Sequence, residues 1–181
     1  ATDTVQIRDT VDNPLQLISG KNLLIEGLES IDIFALKHPN SGLWSAGDMT
    51  LRSANDVGGD AHFFSGGNFK IESLDNTLGN LYSPYDPIIR SYGDINFNIY
   101  EGSSLHILAG GSVKIGTVVI DYPEYDYFQE NGLNFDFIRE NIELSDKSTL
   151  IIDGSLQPTL DIRAGVSKEF IGIPNITGMM N

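Results

Sequence analysis

The 181-residue chain contains no cysteine, which excludes a disulfide framework, thiolate catalysis and thiolate metal sites. No apolar run approaches the roughly 18 residues of a membrane helix, so no transmembrane segment is expected. Basic residues are scarce: 11 Lys and Arg stand against 25 Asp and Glu, for a formal net charge of -14. A field of that sign repels phosphate backbones and makes nucleic acid a poor partner. Charged residues are only 20% of the chain against 40% hydrophobic ones, a balance that argues against disorder. The chain opens Ala1-Thr2-Asp3, without an initiator methionine or a charged-then-apolar leader. The expectation is a removed leader or a segment of something longer. The acidic, cysteine-free composition suits an exported protein that stays soluble outside the cell or meets divalent cations.

What is abundant is glycine, with 19 residues beside 7 prolines, which points to many tight turns. The turns recur in one pattern: Ser19-Gly20-Lys21-Asn22-Leu23-Leu24-Ile25 returns as Ser45-Ala46-Gly47-Asp48-Met49-Thr50-Leu51. Further copies begin at Ser65-Gly66-Gly67-Asn68, Ser91-Tyr92-Gly93-Asp94 and Ala109-Gly110-Gly111-Ser112. Each is a small residue, a glycine corner expected to supply positive φ, a short polar residue and an apolar-x-apolar triplet. A second alternating stretch precedes each corner: Leu15/Leu17, Ser41/Leu43, Ala61/Phe63, Pro87/Ile89 and Leu105/Ile107. Leu160/Ile162 before Ala164-Gly165 reads as a sixth, degenerate copy. Period-two alternation means strands with one buried face, so the unit is strand, glycine corner, strand.

The polar corner residue recurs at intervals of 26, 20, 26 and 18 residues. Propeller blades and leucine-rich repeats require other periods or consensus patterns. An antiparallel sandwich would not repeat one corner chemistry in every copy. A coil of stacked parallel strands would, because equivalent positions meet the same surroundings. The expected fold is therefore all-β, a single-stranded right-handed parallel β-helix, with an irregular insertion near residues 116–159. One domain is expected over 1–181: an N-terminal cap or first turn in 1–14 carrying Val5 and Ile7, regular copies over 15–115, and a last copy with tail over 160–181. In the insertion, eight acidic residues lie between Asp121 and Asp146 with Arg139 the one basic residue. It also holds Tyr122, Tyr125, Tyr127, Phe128, Phe135 and Phe137, an aromatic load that predicts extended segments laid against the coil rather than a solvated linker.

Several stretches resemble a known family. Leu51-Arg52-Ser53-Ala54-Asn55, Gly58-Gly59-Asp60-Ala61-His62-Phe63 and Ser83-Pro84-Tyr85-Asp86-Pro87-Ile88-Ile89-Arg90 are similar to large cyanobacterial exoproteins. So are Leu105-His106-Ile107-Leu108-Ala109-Gly110-Gly111 and Gln157-Pro158-Thr159-Leu160-Asp161-Ile162-Arg163-Ala164-Gly165. Those proteins are filamentous-haemagglutinin-like, related to the passengers of two-partner secretion. The resemblance implies a secreted or cell-surface β-helix of adhesive or structural role, and it transfers no catalytic residue. Only Asn13-Pro14-Leu15 hints at the Asn-Pro-rich signatures of the family's secretion domain.

The residues offer few sites. His62 and His106 occupy one outward slot, but two copies apart, about 10 Å in a stacked sheet. Nitrogen ligands bind zinc at about 2.0–2.1 Å, so they and His38 are expected as surface or half-buried histidines. The corner column Asn22, Asp48, Asn68, Asp94, Ser112 reads as a hydrogen-bonded ladder, with calcium on its carboxylates as the competing reading. The calcium candidates are Asp48 and Asp94 there, and Asp121, Glu124 and Asp126 in the insertion. Gly58-Gly59-Asp60 matches part of a calcium-binding nonapeptide once, without the repeat. The outward positions Leu24, Thr50, Lys70, Asn96 and Lys114 carry no carboxylates, which leaves a polysaccharide-cleaving groove without its acid pair. No catalytic residue and no resident cofactor is assigned, and the chain is not expected to be an enzyme. The expected function is a stiff extracellular module, with cell-surface glycans or association through the coil's ends as its partners. A carbohydrate-binding or carbohydrate-active β-helix and a self-assembling filament subunit are the alternatives.

Overall fold

The computed structural model describes residues 3–38, 40–121, 139–143, 147, 149–153 and 159–172. The protein is all-β, and its main sheet is built from parallel pairings. Three ladders carry the strands. The first joins β1 (Val5–Arg8), β4 (Ile31–Ala35), the start of β7 (Val57–Ser65), β9 (Leu81–Ser83), and the ends of β11 (Ile95–Gly102) and β13 (Val113–Ile120). The second joins β2 (Gln16–Ser19), β5 (Gly42–Ser45), the end of β7, β10 (Ile88–Ser91), β12 (Leu105–Ala109) and β16 (Leu160–Arg163). The third joins β3 (Leu23–Gly27), β6 (Met49–Ser53), β8 (Phe69–Ser73) and the starts of β11 and β13. The chain visits the ladders in a fixed order, and each return lays a strand beside the previous visit.

The register follows the corner alignment. Leu23 pairs with Met49, Met49 with Phe69, Phe69 with Ile95 and Ile95 with Val113. In the second ladder Leu17, Leu43, Phe63, Ile89, Ile107 and Ile162 form a matching column. Met49, Phe69, Ile95, Leu43, Phe63 and Ile89 are fully buried, whereas Leu23, Val113, Leu17 and Ile162 in the outer copies are partly open. Each fully buried side chain of this size stabilises the fold by about 1.5–3 kcal/mol. Phe63 and Phe69, 5.4 Å apart at their ring centres, bind the second ladder to the third.

Three expectations change. The repeating unit has three strands, not two: Val5, Ile31, Val57, Leu81, Tyr100 and Val118 form an inward column of their own in the first ladder. Regular pairing runs on through Ile120, because Thr117–Ile120 of β13 match Ile99–Gly102, so the chain leaves the ladders at Asp121 rather than at Gly116. It rejoins them at Leu160, the sixth copy, which pairs with Leu105. Between lies an antiparallel pair, β14 (Arg139–Glu143) with β15 (Thr149–Asp153), so part of the stretch is extended as expected. Tyr122, Tyr125, Tyr127, Phe128, Phe135 and Phe137 fall outside the described residues.

The third change concerns the corner glycines. Among the described glycines only Gly165 and Gly172 have positive φ, so Gly47, Gly67, Gly93 and Gly111 are not there for a left-handed backbone. Space explains them. A Cβ at each would strike the side-chain oxygen of the corner residue one copy earlier: Asn22, Asp48, Asn68 and Asp94 in turn. Lys21 holds the same position in the first copy, where no earlier corner side chain precedes it among the described residues. Gly165, with φ of +69° and open space around it, is the one corner glycine that needs its dihedral freedom.

Candidate functional site

The oxygens that exclude a Cβ at the corner are the same atoms that bond the copies together. Asn22 Oδ1 accepts the Asp48 N–H at 3.0 Å, and Asp48 Oδ1 accepts the Asn68 N–H at 2.7 Å. Asn68 Oδ1 accepts from Asp94 at 2.8 Å, and Asp94 Oδ1 from Ser112 at 2.7 Å. The column is a ladder, as the sequence suggests, but from side chain to backbone rather than between side chains. Asp48 and Asp94 thus each commit an oxygen to an amide. The buried serines of the same corners add a second hydrogen bond to carbonyls that already accept an inter-copy amide: Ser45 Oγ donates to Gly47 O, Ser65 Oγ to Asn68 O and Ser91 Oγ to Gly67 O. A second column lies between the third and first ladders, where Asn80 Nδ2 donates to Asp56 at 3.0 Å and Asn98 Nδ2 to Asn80 at 3.1 Å. Its spacing of 24 and 18 residues from Asp56 was visible in the sequence, but its glycine partner appears only at Gly116.

Chemically unusual groups gather at the remaining corner, where the first ladder passes to the second. Asp9, Asp60, Asp86 and His106 are buried there with Ser41, Ser83, Ser103 and Ser104. Asp9 Oδ2 accepts the His38 N–H at 2.9 Å and the Ser41 hydroxyl at 2.6 Å. Asp60 accepts the Ser83 hydroxyl, and no cation touches it among the described residues. Burial pushes its carboxyl up to about 8, against the opposing hydrogen bonds from Ser83 and the Tyr85 N–H. Tyr100 sends its hydroxyl to Ser104 O, and burial with Asp60 and Asp86 nearby raises its phenol well above the ordinary value. His106 Nε2 lies 2.9 Å from Asp86 Oδ1, with both side chains buried.

The hydroxyls of this corner divide between carboxylates and the backbone: Ser41 and Ser83 donate to Asp9 and Asp60. Ser103 Oγ donates to Pro84 O at 2.8 Å, while Ser104 Oγ accepts the Thr159 N–H at 2.9 Å. Among the described residues no three His, Asp or Glu side chains converge as metal ligands would. Asp48 and Asp94 lie two copies apart, and Asp121 is exposed at the end of β13 with its N–H on Gly102 O. Glu124 and Asp126 fall outside the described residues. His62 and His106 do share one slot with Ile88 between them, and His62 and His38 are half-buried. His106 departs from expectation by being buried, since the outer side of the second ladder is covered as well as its inner side. Trp44 and Phe64 stack there at 5.4 Å, Arg90 lies over Phe64 at 5.4 Å, and Ile171 of the short helix α1 (Lys168–Ile171) packs beside Gly110. Asp60, Asp86 and His106 stand in apolar runs, where a polar residue signals burial or function, yet strand periodicity alone does not say which.

On the third ladder Lys70 and Lys114 are outward as expected, but Lys70 and Arg52 bind Glu72 at 2.9 and 2.8 Å. Arg52 also reaches Glu26 at 3.2 Å. No helix among the described residues is long and apolar enough to cross a membrane. The chain matches no protein-family model, no curated protein and no solved structure.

Proposed function

We propose that this chain is a right-handed parallel β-helix serving as a secreted or cell-surface structural module, without catalytic activity of its own. The observation that carries this reading is the use made of its polar side chains. Asn22, Asp48, Asn68 and Asp94 each bond the backbone of the next copy, and the buried corner serines add a second hydrogen bond to corner carbonyls. Chemistry spent on holding copies together suits a stiff support. The cyclic order of the three ladders supports the coil, and the strong preference of parallel crossovers for one hand supports right-handedness. The quoted stretches from Leu51 to Gly165 support kinship with filamentous-haemagglutinin-like exoproteins, and with it export and an adhesive role.

The test is turnover. Incubated with plant, algal and bacterial polysaccharides, the protein yields no new reducing ends or unsaturated products. Turnover abolished by a single carboxylate substitution contradicts the proposal.

One observation favours a glycan-binding role beside the structural one. Tyr82, 43% exposed, sits in the outward column of the first ladder between Gly58 and Glu101, with Asp32 beyond Gly58. A sugar face could lie on that ring above the glycine, with carboxylates to either side. Retardation in glycan-containing gels that Tyr82→Ala removes is the expected result for that role, and equal retardation of both proteins excludes this face.

A further inference from the structure

Asp60 lies where β7 leaves the first ladder for the second, in register with Phe34 of β4. Its oxygen takes the Ser83 hydroxyl, and the same hydroxyl accepts the Tyr85 N–H at 3.1 Å. Asp60, Ser83 and Tyr85 therefore form a chain of two hydrogen bonds that fastens the turn after β9 to the middle of β7. That turn carries Asp86, which faces His106, and the Tyr85 ring stacks on Phe34 at 4.8 Å.

The charged and titratable groups around Asp60 come from every neighbouring strand. Arg8 of β1 and Asp32 of β4 are bound to each other, and Lys37 after β4 stands over the Phe34 ring at 5.0 Å. Tyr100 of β11 directs its hydroxyl to Ser104 O. Asp86 adds a second carboxyl to the same corner, against His106 of β12. An ionised Asp60 would be a buried charge without a cation in contact, an arrangement that proteins ordinarily avoid by keeping the proton.

We propose that Asp60 is a proton-held clasp between the first and second ladders, closed while its carboxyl is neutral and opened, together with the Ser83–Asp86 turn, when the proton is lost. The carboxyl keeps its proton up to about pH 8 in the closed state. Opened to water it returns to the ordinary range near 4. Between those limits the open form sheds a proton that the closed form keeps. The opening equilibrium therefore rises about tenfold per pH unit from pH ~4 to pH ~8 and then levels off. The module is tightest in acid and loosens toward alkali at this one corner, while the ladders on either side remain paired.

Amide hydrogen exchange tests this on the full chain. The opening constants for Ser83, Tyr85 and Asp86, with the intrinsic pH dependence of exchange divided out, are compared between the wild type and Asp60→Asn. The expected result is a rise on the order of tenfold per unit in the wild type, and a flat profile in the variant, whose amide cannot ionise. A flat wild-type profile overturns the clasp, as does an equal slope in both proteins. Should Asp60→Asn fail to fold, carbon NMR of the wild-type carboxyl decides. Titration near 8 upholds the proposal, and titration near 4 in the folded protein refutes it.

Discussion

Replacing Gly67 by alanine would push a methyl group into the Asp48 carboxylate and displace the oxygen that holds the Asn68 N–H. Overpacking of this kind costs about 1–3 kcal/mol. Gly165→Ala acts through a different cause, the positive φ of +69°, since nothing stands near its Cβ. Urea denaturation of the two variants should therefore respond differently to a second change. Asp48→Ala removes the oxygen nearest a Cβ at residue 67 and relieves part of the Gly67→Ala loss, the backbone of Asp48 and Gly47 still standing at 2.9 and 3.0 Å, while it leaves Gly165→Ala as costly as before. Asp48→Ala alone should cost about 0.5–1.5 kcal/mol for the lost hydrogen bond, and additive losses in the Gly67/Asp48 pair would refute the steric account. On the third ladder, burial alone would raise the Glu72 carboxyl, but hydrogen bonds from Arg52 and Lys70 hold it below the ordinary value. A lowered folded value contributes stability above the unfolded pKa, and that contribution is lost as pH falls through the folded one. Arg52→Met should thus flatten the acid limb of a melting-temperature profile below about pH 5, and an unchanged limb would remove Glu72 from the account.

At the scale of the strand, β8 shows how the ladders depend on one another. Phe69 is fully buried, pairs in register with Met49 and Ile95, and touches Phe63 across the core. Phe69→Ala should cost about 3–5 kcal/mol by equilibrium denaturation, and a loss under about 1 kcal/mol would mean that the columns are not packed as described. That column was legible beforehand because glycine, polar residue and apolar triplet recur together. The first ladder is less legible, since a glycine stands at its corner only in the later copies, at Gly79 and Gly116: Ile31/Ile33 and Val57/Gly59 alternate, but Gly59, Ser83 and Gly102 interrupt the inward column that Ile33 belongs to. In the sequence Asp60 stands out only through the glycines before it. Its burial follows from β7 crossing between two ladders, and nothing in a local pattern announces that crossing. The slot of His106 follows from the strand pattern but its burial does not, because such a pattern describes one side of a sheet while here both sides of the second ladder are covered.

Across the whole molecule, equivalent positions of successive copies are strand neighbours. Leu24, Thr50, Lys70, Asn96 and Lys114 mark its outward face, one residue per copy, in continuous register. The chain has no cysteine, so two introduced thiols can be spin-labelled without background. Copies about 4.8 Å apart place Leu24 and Asn96 about 14 Å apart at the backbone, and Leu24 and Lys114 about 19 Å apart. Pulsed electron–electron resonance on Leu24→Cys with Asn96→Cys, and on Leu24→Cys with Lys114→Cys, measures that increment. Two narrow distributions are expected, their centres differing by about one strand spacing, with the Lys114 pair the longer. Equal centres, or a shorter distance to Lys114 than to Asn96, would contradict the stack.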